Sequence, residues 1–302
     1  MKGHLVTVAP LLAKLRLPLT RDLAFILFVV LNEVIMGLET YLAHVLNGTL
    51  RWNEWIPVIG GPLMGAALLL SLALARRKPD VARWLAALSL TSSAVIGILG
   101  TYFHFVRAIR PFAAPGERVT LALLVWGAPL LAPLTFVLVA VLGLIALSRD
   151  ADSPGALGQP LFHQLPVSKD HAYFLLASSG ALIATVSSIF DHLRGGFENP
   201  WLWVPTLTGI FATVVAFMLG VLTRPNRADL TTYSAAMGIL LIVGPLGVVL
   251  HMLFDLGVGG AIVIERFLRG APVLAPMVFA NMGLLGLLAL LDPESSLPTR
   301  NQ

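Results

Sequence analysis

Cysteine is absent from all 302 residues, which removes disulfides, thiolate metal sites, iron–sulfur clusters and covalent c-type haem from the chemistry of the chain. Charge is scarce as well, at 12% Asp, Glu, Lys and Arg against 57% hydrophobic residues. Soluble domains carry about 25% charged residues, so this composition excludes an ordinary water-soluble enzyme, and nothing in it points to nucleic acid. Familiar catalytic signatures are missing too: there is no GxSxG, no HExxH, no phosphate loop and no soluble nucleotide-binding unit. The glycines in PVIGGP and in GVGG at 257–260 suit bends or packing rather than a phosphate cradle. Any cofactor must be held by histidine, carboxylate or backbone.

What remains is long apolar runs, with a mean hydropathy of +0.86. A bilayer core needs about 20 consecutive, mainly apolar residues per spanning helix. Eight segments meet that need, at 22–46, 55–75, 82–107, 119–148, 170–193, 201–223, 229–254 and 271–291. The runs are continuous rather than alternating, which disfavours a barrel. The sequence thus predicts an all-α integral membrane protein of eight transmembrane helices. The stretch VTVAPLLAKLRLPLTR is interrupted by Lys14 and Arg16 and lacks a small-residue cleavage site, so residues 1–21 read as an interfacial segment rather than a cleaved signal.

Lys and Arg divide unevenly between the two sides. Thirteen of the 20 fall with the N-terminus, the RRK run at 76–78, Lys169, Arg224 and Arg300, and seven (Arg51, Arg107, Arg110, Arg118, Arg194, Arg266, Arg269) fall on the other side. The positive-inside rule then predicts a cytoplasmic-type inner membrane with both termini cytoplasmic and odd-numbered helices running outward.

The chain also reads as a duplication. Asp22, His44, Gly48, Trp55, Pro57, Gly61 and Arg76 recur 148 positions later as Asp170, His192, Gly196, Trp203, Pro205, Gly209 and Arg224. Gly97, Gly100 and His104 recur 147 later as Gly244, Gly247 and His251, and GAPLLAP at 127–133 recurs 143 later as GAPVLAP. Two parallel four-helix repeats, 22–149 and 170–292, are expected around a pseudo-twofold axis near the membrane normal, joined by a cytoplasmic linker at 150–169 and followed by a cytoplasmic tail at 293–302.

Four outward-running helices share one pattern. GLETYLAH, GILGTYFH, TVSSIFDH and GPLGVVLH each place small residues seven and four positions before a histidine, all on one helical face. The four histidines, His44, His104, His192 and His251, fall within about two turns of the outer surface. Three chemistries fit them. Small faces let helices pack closely while a last-turn histidine caps carbonyls. Two histidines at one depth ligate a haem b iron, with Gly97, Gly100, Gly244 and Gly247 leaving room for the porphyrin. Alternatively, the imidazoles ligate another metal or donate to a quinone.

Glu33 lies near mid-helix, eleven residues before His44 and on the same face. An intramembrane carboxyl is costly unless paired or protonated, and it marks a proton or ion path by default. Its counterpart is Ala181, while Asn32 and Glu39 are matched by Gly180 and Ser187, so the first half is the chemically loaded one. Glu33 and Glu39 are the expected proton-handling residues. Pro245 is expected to break its helix, with Ile98 at the matching place. In the outer loops, Trp52, Trp55, Trp201 and Trp203 suit interfacial anchors. Arg107, Arg110, Arg194, Arg266 and Arg269 suit haem propionates or anionic headgroups.

Eight helices in two four-helix bundles is similar to the membrane anchors of polysulfide-reductase-type quinone oxidoreductases, a likeness of architecture that no quoted motif carries. Two function classes stand. One is a membrane subunit of a redox system, holding haem b or quinone at its external face, with a periplasmic partner subunit exchanging electrons. The other is a small carrier or channel in which Glu33 binds a coupling proton or cation. A non-catalytic anchor for a partner subunit is a further alternative.

Overall fold

The computed structural model describes residues 4, 8, 19–46, 48, 50–149, 165–257, 260 and 262–291. Most of the expected N-terminal segment, residues 150–164 of the linker, and the tail lie outside the described residues. Regular structure among the described residues is entirely helical: α1 (Arg21–Leu46), α2 (Trp55–Leu74), α3 (Pro79–Ala108), α4 (Leu121–Trp126), α5 (Leu134–Leu147), α6 (Lys169–Leu193), α7 (Trp203–Val221), α8 (Arg227–Leu256), α9 (Ile264–Arg269) and α10 (Met277–Leu288). Six of them, α1, α2, α3, α6, α7 and α8, are long and apolar enough to cross a membrane. Their exposed positions are greasy, as at Leu63, Leu88, Ile98, Leu207, Val214, Ile242 and Leu253, a surface suited to lipid.

The segments expected to span at 119–148 and 271–291 are built differently. Each is a one-and-a-half-turn helix, a proline turn and then a shorter apolar helix, α5 with 14 residues and α10 with 12. At about 1.5 Å per residue these two fall short of a bilayer core of about 30 Å. Thr120 caps α4, its hydroxyl accepting from the Leu123 amide. Gly127, Pro129 and Pro133 then stop the helix, since proline lacks a donor and disfavours helical backbone before it. Gly270, Pro272 and Pro276 do the same ahead of α10. The expected break at Pro245 is corrected: α8 runs unbroken through it. Pro245 lies on the exposed side of that helix, where its ring has room and only one backbone bond is lost.

Helices α1, α2, α3 and α5 pack on one another, as do α6, α7, α8 and α10; α5 against α6, α10 against α1, and α4 against α6 join the two groups. Glycine brings α1 and α2 to backbone contact, because a Cβ on Gly61 would strike the Glu33 carbonyl and one on Gly65 would lie 3.2 Å from the Val30 carbonyl.

At the end where α1 and α6 begin, four charges cross between the groups. Lys169 Nζ donates to Asp22 at 2.6 Å and Arg21 to Asp170 at 2.5 Å. Tyr173 adds a hydroxyl to Asp22 at 3.0 Å, and its ring packs 4.2 Å from Phe25. Lys169, Asp22 and Arg21 are all buried, so each charge depends on its partner to offset the cost of leaving water.

Candidate functional site

Glu33 sits on α1 inside the first helix group and is completely buried. Ser93 of α3 donates to Glu33 Oε1 at 2.5 Å, and its hydroxyl also lies 3.2 Å from the Phe136 carbonyl of α5. Oε2 has no hydrogen-bond partner among the described residues. At the sequence-matched positions stand Ala181 and Leu240, both fully buried, so the polar pair is replaced as a pair by an apolar one. Next to it, Asn32 donates to the Phe28 carbonyl at 2.8 Å and accepts from Asn281 of α10. The matched residues Gly180 and Leu138 also approach each other, a Cβ on Gly180 falling 3.6 Å from the Leu138 Cδ1. Glu39 is exposed and lies about 120° round the helix from Glu33, so the structure does not bring the two carboxyls together.

The four histidines lie at the opposite end from the crossed ion pairs, each half-buried. Every Nδ1 meets a backbone carbonyl: His44 that of Thr40 at 2.8 Å, His104 that of Pro129 at 2.8 Å, His192 that of Leu202 at 3.0 Å and His251 that of Pro272 at 2.9 Å. A carbonyl only accepts, so Nδ1 carries the proton and Nε2 of the neutral ring is left with its lone pair. For His104 and His251 the sequence explains the acceptor. Pro133 and Pro276 lack the N–H that would close a helical turn onto the carbonyl four residues back, which is that of Pro129 or Pro272. That carbonyl takes a turn bond from Ala132 or Ala275 instead, and the imidazole fills its other lone pair.

The glycines beneath these histidines are occupied by protein. A Cβ on Gly97 would lie 2.8 Å from the Pro133 carbonyl, and one on Gly100 2.8 Å from the Pro133 Cβ. On the matching face, Gly244 meets Ala280 at 2.5 Å and Gly247 meets Pro276 at 2.5 Å. The furrow along Gly97, Gly100, Gly244 and Gly247 therefore receives the proline turn and the start of α5 or α10. A porphyrin plate does not fit along it.

The pairing of the rings is unequal. The rings of His44 and His104 are neighbours, with centroids 6.3 Å apart and planes tilted by 59°. Beside them the buried Glu54 accepts from the Arg51 amide at 2.9 Å and pairs with Arg107 at 3.5 Å, while Arg107 stays 48% exposed. His192 instead has Phe197 against it at 5.8 Å, edge-on, and Phe197 stacks on Trp203 at 4.6 Å. Arg194 pairs with Asp191 at 3.7 Å and donates to the carbonyls of Val125 and Gly127, so it joins the two helix groups. Arg107 and Arg110 line an open cleft with Glu117 and Trp126, and Arg266 lines another with Asp255 and Gly270.

Ser93, Asn281, Phe197 and the crossed charges were not singled out by sequence reasoning. Ser93 carried a usable signal, since Ser93 and Glu33 both become apolar at the matched positions. Among the described residues, no three of His, Asp and Glu gather closely enough to hold a metal ion. Comparison with protein families, curated proteins and solved structures gave no match for this chain.

Proposed function

We propose that this chain is an integral membrane subunit of an electron-transfer system, in which His44 and His104 hold a haem b near the outer face and Glu33 handles a proton. The observation that carries the haem assignment is the His44–His104 pair, with its rings 6.3 Å apart and both Nδ1 protons committed to carbonyls. Two imidazole nitrogens at about 2 Å from one metal put their ring centres on the order of 6 Å apart. A bare divalent ion wants three or four protein ligands, whereas a haem iron needs two at most from the chain. A neutral ring with a bare Nε2 cannot donate to a quinone carbonyl, which ranks quinone below haem at these residues. When bound, the haem supplies one-electron chemistry. The chain's own part would be to fix the two rings through their Nδ1 bonds and to offer Arg107 to an anionic edge.

In this reading the eight apolar segments form two four-helix repeats, the proline turns completing the fourth and eighth crossings. Matching contacts support it: Arg21–Asp170 with Asp22–Lys169, His104–Pro129 with His251–Pro272, and Gly97–Pro133 with Gly244–Pro276. The lysine and arginine bias supports an inner membrane with cytoplasmic termini, which places the histidines outside, where a periplasmic partner exchanges electrons.

The test is a dithionite-reduced minus air-oxidised spectrum of protein purified from haem-replete cells. A Soret shift with an α-band is expected, and their absence removes the haem. Glu33→Gln is expected to keep the spectrum and to lower proton-linked turnover by at least about tenfold, the low end of what one positioned acid or base contributes.

A second reading, a proton- or cation-coupled carrier, draws on the boundary between the helix groups. Crossed ion pairs close one end of that boundary, while Glu39 stands exposed further along α1. Proteoliposomes that dissipate an imposed pH gradient, and lose that ability with Glu33→Gln, would favour the carrier.

A further inference from the structure

Ser93 has one hydroxyl hydrogen and two acceptors in reach, Glu33 Oε1 at 2.5 Å and the Phe136 carbonyl at 3.2 Å. With Glu33 ionised, that hydrogen goes to Oε1, and the Phe136 contact has no proton to share. We infer that Ser93 places the transferable proton of Glu33 on Oε1, which then donates to Ser93 Oγ while the Ser93 hydroxyl turns to the Phe136 carbonyl. This deepens the proton role given to Glu33 above and rests on it for the use made of the proton.

The two carboxyl oxygens are not equivalent. Oε2 is buried without a partner among the described residues, so a proton there would be a buried donor with no acceptor, at the full cost of an unmade bond. A proton on Oε1 leaves Oε2 as the carbonyl oxygen of a neutral acid, which goes unbonded at less cost than half of an ionised carboxylate. A contact of 2.5 Å suits an O–H···O bond in either direction. The Phe136 carbonyl has two lone pairs, so it can take the Ser93 hydrogen beside a helical bond.

No cation stands by to hold the ionised form. Of the helices packed against α1, α2, α5 and α10 carry no ionisable side chain. On α3 the nearest to Ser93 are Arg83, Tyr102 and His104, nine to eleven positions away, which is about 13 Å or more along the helix. The turn at Trp52–Glu54 brings Glu54, already paired with Arg107. On α1 itself, Glu39 lies on another face, Arg21 and Asp22 belong to the crossed pairs, and His44 stands eleven positions on. Proton uptake therefore makes two bonds where the ionised site makes one, and the second ties α3 to the start of α5.

The experiment is infrared difference spectroscopy of the purified full chain in mild detergent, taken over the pH range in which it stays folded, in H2O and D2O. A protonated-carboxyl C=O band that appears on acidification, moves in D2O and is missing from Glu33→Gln is expected. Ser93→Ala should shift that band to higher wavenumber, and Ser93→Thr should keep it in place. With phenylalanine carbon-13-labelled at its carbonyl, acidification should lower one labelled amide band in the wild type and none in Ser93→Ala. Should Glu33→Gln not fold, glutamate labelled at its side-chain carboxyl carbon and the Ser93→Ala shift assign the band instead. A band unmoved by Ser93→Ala, or no labelled phenylalanine shift, overturns the inference while the proton role stands. No such band at any pH overturns both. The expected bands with undiminished turnover in Glu33→Gln remove the proton role and leave the inference.

Discussion

Glu33 and Ser93 form one unit, and the matched pair Ala181 and Leu240 shows what replaces it. Ser93→Leu beside Glu33 removes the donor from Oε1 and presses an apolar group on a buried carboxyl, with an expected loss of about 1–3 kcal/mol. Glu33→Ala alone leaves a cavity of carboxyl size. Combined, the two substitutions place at 33 and 93 the apolar residue types found buried at 181 and 240, so the double variant should be more stable than the sum of the single losses implies, with a coupling of about 0.5–3 kcal/mol. Reversible unfolding in mild detergent measures all four corners of the cycle. Strictly additive losses would mean that the two residues act independently. Glu33 was legible from the sequence because a carboxyl inside an apolar run stands out. Ser93 was less so, because serine is common in such helices and its partner lies 60 positions away, leaving only the joint change to Ala181 and Leu240 as a signal.

At the scale of elements, the four small-x-x-small faces were legible as faces, but what fills them was not. Hydropathy averages over GAPLLAP and GAPVLAP and reports continuous spans, although the prolines in each cut the run into a turn and a shorter helix. Pro245 misled in the opposite direction, since an exposed ring can be carried by an otherwise intact helix. The imidazole and the proline turn belong together. His104→Ala should cost about 1 kcal/mol, the worth of a typical hydrogen bond. In a Pro133→Ala background, where residue 133 regains an amide donor for the Pro129 carbonyl, the same change should cost less. Thermal unfolding of the four proteins tests this, and equal costs in both backgrounds would separate His104 from the turn.

For the whole molecule, the crossed charges are a buried polar tie between the two helix groups. Counting lysines and arginines assigns them to a side of the membrane but cannot pair them, so Arg21–Asp170 and Lys169–Asp22 had no signal in the charge count. Lys169→Met takes the ammonium from a buried carboxylate and should destabilise by about 3–5 kcal/mol. Adding Asp22→Asn should recover part of that loss, because the isolated ion rather than the missing bridge carries most of the cost. Comparing melting temperatures of the single and double variants decides the matter, and a double variant worse than the single would assign Asp22 a separate role. Arg21-Asp22 and Lys169-Asp170 spell the same cation–acid dipeptide, each cation answering the other's acid. A contact of that kind is isologous, so two identical copies of one half would meet through the same seam. If the two halves are the four-helix repeats proposed above, one half alone would already meet the requirement for a twofold dimer through that seam. Joined in one chain, the halves are free to differ, and the buried carboxyl of Glu33 against the buried Ala181 is such a difference.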